Sequence, residues 1–67
     1  MGKTEAREVL GITAMDEVLK SGLENYKESL IKLLEVTNKN DKEERARIRL
    51  NIKAINILLR EKAYDAE

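Results

Sequence analysis

Apolar side chains recur along most of this chain at the three- and four-residue spacing of an α-helix, and the breaks in that rhythm fall at turn-forming residues. The first stretch runs from Thr4 to Leu10. Ala6, Val9 and Leu10 give it a short apolar face, Thr4 can cap it, and Gly11 suits the left-handed position that follows a helix. The spacing predicts a short helix over 4–10.

A second helix is predicted over 13–37. Thr13 opens it, and Asp16 stands where a capping box places its acidic partner. Met15, Val18, Leu19, Leu23, Tyr26, Leu30, Leu33, Leu34 and Thr37 then fall within about 160° of arc at about 100° per residue. Gly22 interrupts the composition but not the phase. Either Gly22 ends a short helix and Ser21 to Glu24 cap the next, or one helix runs through it. The preserved phase favours the continuous helix.

Asn38 to Asp41 is short, polar and rich in turn formers. Asp41 and Glu44 form another capping pair, and a third helix is predicted over 42–64. Its main apolar stripe is Ile48, Ile52, Ile55, Leu59 and Ala63; a second set, Leu50, Ala54, Ile57 and Leu58, lies toward the other side. Arg47 to Ala54 also alternates polar and apolar residues as a strand would. Charged helix formers flank it and no second strand is available to pair with it, so the helix is preferred.

The expected fold is all-α, a single domain over 1–67: an antiparallel two-helix hairpin with a short N-terminal helix. Its seam sets Leu23, Tyr26, Leu30, Leu33 and Leu34 against Ile48, Ile52, Ile55 and Leu59. One partner helix cannot cover both apolar sides of the third helix. Either the N-terminal helix folds over the second side or another chain does, and two hairpins pairing into a four-helix bundle answer this simply. The expected partner interface is therefore Leu50, Ile57, Leu58 and Tyr64. On this reading Ile57→Asp weakens self-association and spares most of the helix content.

Composition narrows the chemistry. The chain has 67 residues and contains no Cys, His, Pro, Trp or Phe. Disulfides are impossible, and zinc, haem and iron–sulfur sites lose their usual ligands. A chain this short usually needs a staple, and association is the one left. Glu24 and Glu28 lie one turn apart, as carboxylates do in di-iron bundles, but that chemistry also needs Glu-x-x-His. Glu28 suits pairing with Lys32 instead. No phosphate loop or dinucleotide fingerprint is present. The expectation is no enzyme activity and no catalytic, cofactor or metal residues.

The 13 basic and 13 acidic side chains cancel, whereas nucleic-acid-binding domains of this size are usually strongly basic. A local basic stripe remains on the third helix, where Lys42, Arg49, Lys53, Asn56 and Arg60 share one side. Glu17, Glu24, Glu28 and Glu35 share a side of the second helix. The leading expectation is a non-enzymatic protein–protein interaction module, a small helical homodimer or an adaptor, regulator or inhibitor bound to a larger protein. The alternative is a hairpin that binds RNA or DNA through Arg49, Lys53 and Arg60. The longest apolar run, Ile57 to Leu59, is too short to span a membrane. No apolar segment follows Lys3 and Arg7, so no signal peptide is read. The expected location is cytoplasmic, which the lack of Cys fits.

Three local stretches resemble two known families. Glu5-Ala-Arg-Glu-Val-Leu-Gly-Ile-Thr13 resembles the opening of helix-turn-helix segments of the excisionase type, which implies DNA reading by the helix that follows. That helix would begin Ala14-Met-Asp-Glu, and acidic residues there repel phosphate. Lys27-Glu-Ser-Leu-Ile-Lys-Leu33 and Ile52-Lys-Ala-Ile-Asn-Ile-Leu-Leu-Arg-Glu61 resemble the two helices of the small hairpin protein family of the large ribosomal subunit. That resemblance implies a helical hairpin facing rRNA. Its basic cluster is represented only by Arg47, Arg49 and Lys53, and that family is strongly basic.

Overall fold

In the computed structural model, which describes residues 1–65, the chain forms three helices: α1 (Lys3–Val9), α2 (Lys20–Val36) and α3 (Lys42–Arg60). No strand occurs among the described residues. α1 and α2 both pack against α3, which is the centre of the fold.

The composition of α3 explains its place. Ile48, Ala54, Ile55, Ile57 and Leu58 are all buried, and they spread over roughly half of its circumference. This broad buried arc is shared between two neighbours, α2 and α1, and Ala6 of α1 is fully buried in the common core. The chain therefore shields the second side of α3 with its own N-terminal helix. At about 1.5 Å per residue, α1 is about 10 Å long and α3 nearly three times that. Leu50, two turns before Ile57 on the same side, stays 43% exposed.

The ends of the helices show how local chemistry sets them. Asp41 caps α3, its side chain accepting a hydrogen bond from the Glu44 N–H at 3.2 Å, as the capping pair predicted. The α2–α3 turn is closed by Arg45, whose Nη1 donates to the carbonyls of Leu34 (3.1 Å) and Thr37 (3.3 Å). These are unpaired carbonyls at the C-terminus of α2, and a cation there also complements the helix dipole. Gly11 takes a φ of +73° after α1, the left-handed conformation expected of it.

The expected boundaries of all three helices are corrected. The first helix is Lys3–Val9, capped by Gly2 rather than Thr4. The second does not span 13–37: α2 begins at Lys20 and runs through Gly22. Thr13 and Asp16 do interact, the Asp16 carboxylate accepting from the Thr13 N–H (2.7 Å) and Oγ1 (3.0 Å). They close a turn instead of starting a helix, because Leu19 is extended and Val18 is bound elsewhere. The third helix ends at Arg60, not at 64, and Lys62 turns the chain with a φ of 52°. With residues 13–19 outside any helix, no recognition helix follows Gly11.

Candidate interaction surface

The α2 stripe that the sequence presents as one face is divided in the structure. Its middle, Leu23 and Leu30 with half-buried Lys27 and Leu34, packs on α3. Its edge, Tyr26 and Leu33, does not enter the core and is 46% and 41% exposed. A contact between two helices covers a strip narrower than 160°, so the outer part of so broad a stripe is left over.

That leftover edge has its own order. Gly22, Tyr26, Ser29, Leu33 and Val36 follow one another along α2 at alternating four- and three-residue steps, with the N-cap Leu19 three residues ahead of them, and every one is exposed. This is the a/d spacing of a coiled coil. No charge lies on the line, although charged residues make up 39% of the chain. α2 thus carries two parallel seams, one filled by α3 and one open. Sequence reasoning placed Tyr26 and Leu33 in the first seam and so overlooked the second. The signal was there in the seven-residue steps from Leu19 to Tyr26 to Leu33 and from Gly22 to Ser29 to Val36.

At its N-terminal end the open seam runs into an open depression of about 310 Å³ lined by Ile12, Asp16, Glu17, Val18, Leu19, Gly22 and Leu23. Its wall is largely apolar, with two carboxylates at the rim. The hydrogen bonds from Thr13, the backbone N–H first, hold the Asp16 carboxyl below its usual range. Asp16 is therefore a fixed negative charge at this end. On the α3 side, Arg47 is paired with Glu44, which lowers the Glu44 pKa and raises that of Arg47.

The expected partner residues separate. Ile57 and Leu58 are buried in the chain's own core, so their assignment to a partner surface is corrected: the single chain already covers them. Tyr64 is half-buried against the core, and Leu50 keeps an exposed face. Arg49, Lys53 and Arg60 are exposed. Counted around each helix from the buried positions, they lie on the flank away from α1. Glu24, Glu28 and Glu35 of α2 fall on that same flank, so an acidic row runs beside the basic one. No ion pair within 4.0 Å joins the two rows among the described residues; Glu28 pairs with Lys32 along its own helix at 3.6 Å, and Arg60 with Glu61 at 3.9 Å.

Among the described residues no group of three or more acidic side chains is placed to hold a metal ion, and no helix is long and apolar enough to cross a membrane. No family model, curated protein or solved structure matches the chain.

Proposed function

We propose that this chain is a non-enzymatic protein–protein interaction module whose docking surface is the outer seam of α2. The observation that carries the reading is the uncharged a/d row of exposed residues from Leu19 to Val36. Exposed apolar rows of this kind on small proteins mark contact surfaces. The heptad step selects a helix as the occupant, because knobs from a facing helix recur at the same interval. The rest of the fold supports this use: α3, itself packed against α1, holds α2 from behind, so the outer face of α2 is presented on a packed support.

The seam replaces Ile57 and Leu58 as the partner surface. A cross-linker separates docking from simple exposure. A photoreactive side chain in place of Ser29 is expected to give adducts with a helical partner, and the same group in place of Asn56, on the opposite flank, is expected to give none. Adducts at neither position contradict the reading.

Nucleic-acid binding through Arg49, Lys53 and Arg60 is the weaker reading, since the neighbouring Glu24, Glu28 and Glu35 offset the field of those cations. A mobility shift with RNA or DNA at about 50 mM salt that is lost near 200 mM salt would favour it.

A further inference from the structure

We propose that the occupant of the outer seam is a second copy of this chain, with the two α2 helices antiparallel; this rests on the docking reading above and names the partner. The size of the side chains along the seam sets the register. Centred between Tyr26 and Ser29, an antiparallel pair places Leu33 of one copy over Gly22 of the other and Tyr26 over Ser29, with Leu19 beside Val36 at each end. Each inner layer then matches a large side chain to a small one, the knob-and-hole fit that a helix pair needs. A parallel pair instead stacks Gly22 on Gly22 and Ser29 on Ser29, which leaves voids, and crowds Tyr26 against Tyr26.

Gly22 supplies an independent observation. A Cβ built at Gly22 would meet only Leu19 Cβ at 3.8 Å, an ordinary van der Waals contact. Nothing within the chain requires a glycine there, in a helix where glycine is disfavoured. A knob arriving from outside does require it. Charge points the same way. Asp16 and Glu17 flank the N-terminal end of the seam, and Lys39 follows its C-terminal end. The antiparallel order brings Asp16 and Glu17 of each copy toward Lys39 of the other, whereas the parallel order sets those carboxylates against each other. Charge matching of this kind fixes orientation more than it adds affinity.

The chain has no cysteine, so introduced thiols report contacts without background. Gly22→Cys and Leu33→Cys, each verified as helical by circular dichroism, are mixed and oxidised. The mixed 22–33 disulfide is expected to exceed both homodisulfides. Light scattering of the parent is expected to give a dimer that dissociates on dilution, and Gly22→Leu a helical monomer. A parent that stays monomeric at about 1 mM, or thiols that form homodisulfides alone, overturns the assignment. Adducts from position 29 to a different protein with a monomeric parent would overturn self-association and leave the docking reading standing. No adduct at position 29 to any chain would end both.

Discussion

Asp65 holds Val18 through two hydrogen bonds: its Oδ2 accepts the Val18 N–H at 2.8 Å, and its own N–H donates to the Val18 carbonyl at 2.7 Å. This contact joins the segment after α3 to the segment before α2. It holds Val18 out of helical geometry, and α2 starts two residues later.

Asp65→Ala removes one of the two bonds and leaves the Val18 N–H without its charged acceptor in a partly buried place. A loss of about 1–2 kcal/mol is expected from hydrogen bonds of this type. Urea denaturation of the variant measures it. No change in midpoint would mean that the clasp adds nothing to stability.

The closing of α3 by α1 gives a contrast between two residues on one side of one helix. Ile57 is 5% exposed and Leu50 is 43% exposed. Ile57→Asp buries a charge without a partner and is expected to unfold the chain, since total stability for a domain this small is a few kcal/mol. Leu50→Asp is expected to cost less than about 1 kcal/mol. Circular dichroism at 222 nm distinguishes them. An Ile57→Asp chain with full helix content would show that α1 does not shield this side.

Much of this fold is legible in the sequence because it depends on near neighbours. The Asp41 cap, the polar turn from Asn38, the rows of α3 and the left-handed Gly11 are all set within a few positions. The start of α2 is not, because it depends on Asp65, which lies 47 residues from Val18. Thr13 and Asp16 mislead for the same reason: the hydrogen bonds that start a helix also close an isolated turn, and only the following residues decide between them. The interaction surface was hidden by breadth. Leu23 and Tyr26 look equally apolar in a 160° stripe, and only packing on α3 shows which part is left over. The second side of α3 was read correctly as needing cover, but the choice between α1 and another chain lay beyond local pattern.

Acid titration follows from the Thr13–Asp16 turn. The Asp16 carboxyl sits below its ordinary value of 3.8 in the folded chain. Its contribution to stability is therefore present above that value and lost as pH falls through the lower, folded-state pKa. The amide resonance of Thr13, which donates to Asp16, is expected to titrate with a midpoint under 3.8. A midpoint at or above it would mean that the turn is not formed in solution.

Gly22→Ala separates folding from association. The added methyl meets only Leu19 Cβ at van der Waals distance, and replacing a helical glycine gains up to about 1 kcal/mol. Thermal unfolding at low protein concentration should shift upward. A downward shift would mean that the glycine serves the single chain after all.

Sedimentation equilibrium of the parent chain beside Leu33→Asp tests self-association through the outer seam of α2 most directly. Leu33 is an exposed residue of the outer seam and not of the core, so the account expects a concentration-dependent approach to twice the 7.7 kDa chain mass for the parent. For the variant it expects a single-chain mass with undiminished helix content. Equal masses for the two proteins at every concentration, or a variant that loses its helices, would contradict it.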